Sequence, residues 1–442
     1  MDIKKALIDG KARIGVWGCG YIGFTTMVNF AKEGIYSIGY DVNPAVIKTI
    51  QSGGLHIPNL DYWMGHHIEH LIKDMITVTD RAKDMMANDI MVHLIAIPTE
   101  NGGEPWDGPI REVIKELAKR KVVDGKPIII IIESTLTPGM FDNIIIKMLK
   151  DARLEIGRDV MVGVAPRRDW FDSPEKNVKS LKRVIGGTTK ETTQAMKDVL
   201  DIICDNLILS DAHTVELVKS VENSIFHVCA TYACQLARAY PNVNIREVLQ
   251  LASTHWRIPL YFPSVGTGGY CIPVSSKYIR DGAERPEELN ITKEVIRSDS
   301  NQPSYIADVM KDCNSVAILG ISYKRDLKVH VLSPALGVIK GLLQYGINVK
   351  AYDPYYTPAE IKKITGVESF NYPDDLREFD GIVIVPPHRV FGQTPSSRLF
   401  ANLREKQIVL DNEGIWSKWR DDFKNKRIVY HCVGDKGWTL SN

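Results

Sequence analysis

The chain is short of the features that mark a nucleic-acid-binding, disulfide-stapled or membrane-spanning protein. Its 442 residues carry 55 basic and 54 acidic side chains, a formal net charge of +1. It therefore lacks the basic excess that nucleic acid or an anionic membrane surface selects. Cysteine is scarce and odd in number: seven, at positions 19, 204, 229, 234, 271, 313 and 432. No two stand at zinc-site spacing and no disulfide framework is suggested, so no metal centre is expected and a reducing cytoplasm fits best. Long hydrophobic runs are missing too. The longest purely apolar run is "IIIII" at 128–132, far below the roughly 20 residues of a membrane span. The opening "MDIKKALIDGKARIGVWG" has no apolar core of the kind a signal peptide carries. The expected partner is a small molecule rather than a nucleic acid or a membrane.

What is present is ordinary for a globular enzyme: 44% apolar and 25% charged residues, in a chain long enough for two or three domains. "RIGVWG" (13–18) is a short apolar strand running into glycines, and "YIGFTTMVNFAKEG" (21–34) follows with helical spacing and a glycine stop. "YSIGYD" (36–41), "IMVHLIAIPT" (90–99) and "PIIIIIEST" (127–135) read as further strands, the last two apolar on both faces as central parallel strands are. Helical segments around 109–121 and 139–151, then strands near 159–187, complete a β–α alternation that predicts a doubly wound sheet. Residues 214–240 form one long helical run without proline or glycine, with helix expected to continue to about residue 260. The segment 281–303, polar and containing proline, reads as a linker. Strand-like runs return at 315–324, 380–387, 407–414 and 427–433, with Asp353 closing a second strand as Asp41 does in the first half.

"GCGYIG" places Gly18, Gly20 and Gly23 in G-x-G-x-x-G spacing, and Asp41 follows Gly23 by eighteen residues at the end of the next strand. In this strand–turn–helix context the pattern points to a dinucleotide. Gly18 permits the tight turn, Gly20 the approach of backbone N–H groups to a pyrophosphate, and Gly23 close helix–strand packing; Tyr21 and Ile22 open the helix. Asp41 would accept from the ribose hydroxyls and repel a 2′-phosphate, so NAD is expected over NADP.

In "VKSVENS", Lys219 and Asn223 stand four apart on one helix face, beside the apolar Val218, Val221, Ile225 and Phe226. A buried lysine and asparagine need partners. The stretch "GTGGYCIPVSSKYI" (266–279) sets two glycines before Cys271 and a proline after it. Such a cysteine is either a small apolar residue in a turn or a presented nucleophile.

"GCGYIG", "YDVN", "IPT", "ESTLTPG", "RVIGG", "ELVKSVENS", "GTGGYCIPV", "ILGISYK", "SPA" and "YDP" occur here in the order in which the UDP-glucose/GDP-mannose dehydrogenase family has them. The chain resembles that family over about 13–355, and "HWRIPLYFPSVGTGGYCIPV" resembles most its UDP-N-acetylhexosamine dehydrogenases, the UDP-N-acetylmannosamine branch above all. The resemblance implies two Rossmann-like doubly wound α/β domains joined by a central helical domain with a long helix: 1–212 for NAD, 213–308 for homodimer formation, and 309–442 for the nucleotide sugar, which would lie in a cleft between the terminal domains. It implies oxidation of a sugar C6 hydroxyl by NAD to the aldehyde and then, through a thiohemiacetal and thioester on Cys271, to the uronate. Lys219 would stabilise oxyanions, Asn223 would position them and the sugar, and Thr135 would hold a water or the nicotinamide region, with Thr99 also at the cofactor. Arg167, Lys219, Asn223, Arg257, Gly268 and Lys324 are the candidate substrate contacts, and Arg257 could reach a partner subunit's substrate.

Three positions depart from the family pattern. Ser275 stands where an aspartate follows the cysteine by four residues, Arg167 where a glutamate follows proline, and Val331 where an arginine precedes the serine of "SP". Arginine is no base at neutral pH; Asp169, Asp172 or Glu175 could stand in. The departures admit a partial reaction ending at the aldehyde, transfer of the acyl group to another acceptor, or a non-catalytic NAD and nucleotide-sugar binder. A single-step relative of the β-hydroxyacid dehydrogenases would lack the third domain and "GGYCIP".

Overall fold

A computed structural model describes residues 2–57, 60–64, 67–120, 126–169 and 175–440. The chain divides into two compact units, Met1–Glu222 with Asp281–Glu284, and Asn223–Arg280 with Arg285–Asn442.

The first unit is built on an eight-stranded sheet. Its strands are β1 (Arg13–Trp17), β2 (Ser37–Tyr40), β3 (Ile76–Thr79), β4 (Ile90–Ile95), β5 (Ile128–Ile132), β6 (Val160–Val164), β7 (Arg183–Gly187) and β8 (Leu207–Asp211), in the order β8-β7-β6-β5-β4-β1-β2-β3. Every pairing is parallel except β6 with β7, where Gly163 faces Gly187. The five isoleucines of β5 are all buried, each contributing roughly 1.5–3 kcal/mol of hydrophobic stabilisation. The unexpected strands β3 and β8 have a common cause: they lie at the two edges. At β8, Ile208 and Leu209 remain exposed, so the half-buried alternation that signals a strand is absent. Helix α1 (Tyr21–Lys32) packs its Phe24, Met27, Val28 and Ala31 into the core.

Helix α2 (Ala212–Ala239) runs through the division between the units. In the second unit come α3 (Ile245–Ala252), α4 (Cys271–Gly282, whose last two residues count with the first unit) and α5 (Asn290–Val309). Helix thus stops at Ala252, short of the expected 260, and three turns of irregular chain follow. The expected linker is corrected more deeply, because much of it is α5. The helix buries Thr292, Val295, Ser298, Asp299, Gln302 and Ile306 at helical spacing, with Pro303 inside it. The buried face is polar: Ser298 accepts from Arg238 and Gln235, and Gln302 donates to the Ser264 carbonyl at 2.7 Å. A hydropathy pattern cannot register such a face, since hydrogen bonds replace apolar burial.

The second sheet has β9 (Ser315–Leu319), β10 (Asn348–Tyr352), β11 (Gly381–Ile384), β12 (Ile408–Asp411) and β13 (Val429–Cys432), in the order β10-β9-β11-β12-β13, parallel throughout. Helix α6 (Pro334–Gln344) connects β9 to β10 and buries Ala335, Val338, Ile339 and Leu342. Among the described residues no helix is long and apolar enough to cross a membrane, and no group of three or more histidine, cysteine or carboxylate side chains could hold a metal ion.

Candidate active site

At the end of β1 the backbone turns at Gly18 with φ +90°, and its N–H donates to the Tyr40 carbonyl of β2 at 2.8 Å. A Cβ on Gly18 would press on the Ala96 carbonyl, and one on Gly23 would collide with the carbonyl of Gly18. Gly20 differs: it is exposed, and a Cβ there would meet nothing within 4 Å. It is also the N-cap of α1 and offers no side chain to cap it, and the N-terminus of a helix favours an anion. Asp41 anchors this turn. Its Oδ2 accepts from the Cys19 N–H and its Oδ1 from the Asn43 N–H, both at 2.8 Å. A carboxylate has about four acceptor positions, so the half-buried Asp41 retains capacity for two hydroxyls. Open space above Gly20, an uncapped helix and an incompletely satisfied acid fit a dinucleotide.

Thr99 and Thr135 come together at the far ends of β4 and β5, where the Thr99 hydroxyl donates to the Thr135 carbonyl at 2.6 Å. The loop holding Thr135 is pinned to α2. Glu216 accepts from the N–H groups of Gly139 and Phe141 at 3.0 and 2.8 Å, and the Ser220 hydroxyl reaches the Leu136 carbonyl. Burial raises the Glu216 carboxyl above the usual glutamate range, against the pull of those two amides. Half-buried Lys219 lies between these two anchors, so its place relative to Thr135 is set within the first unit. Neither anchor was legible as such in the sequence.

Arg167 overturns an expectation. Its guanidinium is buried and fully engaged: bidentate to Asp169 at 2.6 Å on both arms, and hydrogen-bonded to Thr26 at 2.5 Å and Thr25 at 3.3 Å. Thr26 in turn donates to Glu133, which pairs with buried Arg183 at 2.6 Å. Arg167 is therefore a strut between β6 and α1, not a substrate contact, because no donor points away from that network. Asp169 is occupied with it. Burial opposes its charge, Arg167 outweighs burial, and the carboxyl stays below the usual aspartate range, which unsuits it to act as a base near neutrality. Asp172 lies outside the described residues.

In the second unit Cys271 is exposed and is the first residue of α4. The glycines before it are there for packing. A Cβ on Gly268 or Gly269 would stand 2.6 Å from Tyr323, and Gly269, at φ +75°, donates its N–H to the Val331 carbonyl. The cysteine loop therefore lies directly on the "ISYK" loop. Asn223 is buried and donates to the Ser275 hydroxyl at 3.0 Å, so the serine at the expected acid position is a partner of Asn223. Lys324 is half-buried in the turn after β9. With Arg325 and Arg246 it surrounds Glu413 electrostatically, a cluster that sequence reasoning missed because its members come from three separated segments. Arg257 is exposed, its guanidinium stacked on Trp256 with 4.5 Å to the ring centroid, and no described contact brings it to Lys324.

A glycine turn opening onto an uncapped helix, with an acid at the end of the next strand, is the frame of a dinucleotide-dependent enzyme, and an exposed cysteine stands on a packed glycine loop. The chain belongs to the UDP-glucose/GDP-mannose dehydrogenase family: its NAD binding domain matches residues 12–203, its central domain 213–301 and its UDP binding domain 317–418. The cofactor is NAD. Among relatives, the UDP-N-acetyl-D-mannosamine dehydrogenase of Pyrococcus horikoshii is 28% identical, over 91% of this chain and 96% of that protein. The NDP-N-acetyl-D-galactosaminuronic acid dehydrogenase of Ralstonia solanacearum is 26% identical, over 92% and 97%. The solved structure of the P. horikoshii UDP-D-ManNAc dehydrogenase superposes with a TM-score of 0.80 at 26% identity, covering 96% of this chain and 99% of that one. A UDP-glucose dehydrogenase from Pyrobaculum islandicum shares the fold with a TM-score of 0.81 at 20% identity, covering 96% and 98%.

Proposed function

We propose that this protein oxidises the C6 hydroxyl of a UDP-N-acetylhexosamine to the uronate, with Cys271 as the covalent nucleophile. The observation that carries the reading is the presentation of Cys271: an exposed thiol at the head of α4, on a loop whose glycines are demanded by contact with Tyr323, with Asn223 bonded to Ser275 one turn further along. The acetamido sugar is supported by the names of the relatives.

Gly18, Gly20, Gly23 and Asp41 would hold NAD, which would accept the hydride in each of the two oxidations, one NAD per step. Cys271 Sγ adds to the C6 aldehyde and forms the S–C bond of a thiohemiacetal. Lys219 stabilises the oxyanion with its ammonium charge, and Asn223 orients the sugar. After the second oxidation the carbonyl is a thioester; water adds to it, the C–S bond breaks, and the thiol is restored with a proton. Lys324, with Arg325 and Arg246 beside it, supplies positive charge for the diphosphate.

The departures bear on the last step. Ser275 is tied to Asn223, and Arg167 and Asp169 to each other, so none of them is a base for the hydrolytic water. A positioned base contributes about 10²–10⁴-fold. Slow release of the uronate and a covalent Cys271 adduct under single-turnover conditions are therefore expected, read by rapid quench and intact-protein mass spectrometry. NADH formation over a panel of nucleotide sugars, with mass spectrometry of the product, tests the whole reading; unchanged turnover in Cys271→Ala would overturn it.

The same reading keeps 1–212, 213–308 and 309–442 as the functional divisions, places the enzyme in the cytoplasm, and makes it a homodimer through the central domain. Leu217, Val221, Ile225 and Tyr232 support the last point: they lie along one face of α2 and are all exposed, an apolar stripe of the kind an interface covers. Light scattering after gel filtration checks it.

A further inference from the structure

Helix α2 carries a third polar residue on the face of Lys219 and Asn223. His227, one turn beyond Asn223, is 1% exposed. Its Nδ1 is 2.9 Å from the Ser276 hydroxyl, and its Nε2 is 3.2 Å from Asp299 Oδ2 on α5, an electrostatic contact rather than an aligned hydrogen bond. Asp299 also grips Thr267, accepting its N–H at 3.0 Å and its hydroxyl at 2.5 Å. Ser276 donates to Ser224 at 3.3 Å.

Thr267 precedes Cys271 by four residues, and Ser275 and Ser276 follow it by four and five. The chain entering the cysteine is thus held by Asp299, and the helix leaving it by Asn223 and His227. The His227–Asp299 contact joins the two clamps. Burying an imidazole and a carboxylate together is costly unless their partners are fixed, and here every partner flanks Cys271. Asp299 is held below the usual aspartate range: burial opposes its charge, and His227 and Thr267 outweigh it.

We infer that His227, acting through Asp299 and Ser276, is a positioning residue for Cys271: it sets where the thiol stands without touching substrate. The inference deepens the reading of Cys271 as nucleophile and rests on it. An apolar residue at 227 leaves Asp299 on Thr267 and Asn223 on Ser275 but uncouples the two clamps and releases Ser276, so the thiol is misplaced while the nucleotide and NAD contacts, made by other residues, persist. Misplacement of about 1 Å can cost about 10²-fold in rate.

Three substitutions in the full-length protein dissect the two links. H227F keeps the ring and loses both, H227N retains a group that can reach Ser276, and H227Q retains one that can reach Asp299. T231V, which removes another buried hydroxyl from α2, controls for core perturbation. The expected result with a UDP-N-acetylhexosamine is kcat lowered about 10- to 100-fold in H227F, less in H227N and H227Q and not in T231V, with KM and the NAD dissociation constant within about twofold. Hydrogen–deuterium exchange of the 266–277 peptide should rise in the same order, while peptides of the first sheet stay unchanged. H227F with kcat within twofold of the parent, KM and kcat shifting together, or an equal loss in T231V would overturn the inference. Should H227F not fold, the order of H227N and H227Q against T231V decides. The exchange measurement needs no turnover. An inactive parent protein with a loosened 266–277 peptide in H227F would therefore count against the proposed reaction and for the clamp; an unchanged peptide would count against the clamp alone.

Discussion

The two sheets begin alike and end differently. In the first, Gly18 turns at φ +90° and its N–H bonds to Tyr40; in the second, Gly320 turns at φ +88° and its N–H bonds to Tyr352. In each, an aspartate after the second strand reaches back to the amides beyond the glycine. There the likeness stops. Asp41 takes one amide of that turn, from Cys19, and stays half-exposed. Asp353 is 1% exposed and saturated, accepting from Ile321, Ser322 and Tyr355 N–H groups, with His388 Nε2 at 3.2 Å. After Gly18 the helix starts at once and is uncapped. After Gly320 no helix starts until Pro334, and there the Ser333 side chain accepts the Ala335 N–H. The same strand–glycine–strand frame is thus left open in one unit and closed as a brace in the other. The difference lies in what remains unsatisfied.

The sharpest way to break the contrast is Asp353→Ala. Removing one partner from a buried charged network costs about 3–5 kcal/mol, so the urea midpoint of the second unit should fall steeply while NAD affinity, by calorimetry, is unmoved. Asp41→Ala should do the reverse: unfolding free energy nearly unchanged, NAD binding weakened by about 1.5–3 kcal/mol for the lost charged hydrogen bonds, and preference over NADP narrowed. Equal or better binding of NADP by the parent protein would remove the basis of that assignment.

Acid provides a gentler probe. Burial works against the charges of Asp353 and Asp326, but His388 and backbone N–H groups outweigh it, helped at Asp326 by Arg389, and both carboxyls lie below the ordinary aspartate range. Such groups stabilise the fold fully above the unfolded value of about 3.9, and the contribution is lost as pH falls through the depressed folded values. The second unit should lose stability over that acidic window, and Asp353→Asn should flatten the slope. The smallest effect is expected at Gly20. Gly20→Ala should leave the free protein within about 0.5 kcal/mol, since its Cβ meets nothing, and act only on NAD, whereas Gly23→Ala should unfold the turn.

Legibility followed local chemistry. The glycine turn, Asp41, the long helix and all five strands of the second sheet could be read because each rests on neighbours in sequence: a turn and its helix, or a run of buried β-branched residues. The edge strands β3 and β8 and the polar-faced α5 escaped because their signal is made elsewhere, by pairing on one side or by hydrogen bonds from Arg238 and Gln235 and to the Ser264 carbonyl. The cation cluster of Lys324, Arg325 and Arg246 escaped for the same reason.

By itself the sequence determined which residues are available for chemistry. Cys271 between glycines, Lys219 and Asn223 at helical spacing, and an acid after β2 follow from period and turn geometry, which act over a few residues. Only the tertiary structure decided what each is free to do. Arg167 looked like a cation for substrate and is an internal strut; Ser275 looked like a lost acid and is the seat of Asn223; His227, unremarked in the sequence, contacts residues on both sides of Cys271. Whether a polar group is free or spent depends on where its hydrogen bonds go, and although Asp169 stands two residues from Arg167, its threonine partners and the partners of Ser275 and His227 lie tens of residues or more away in the chain.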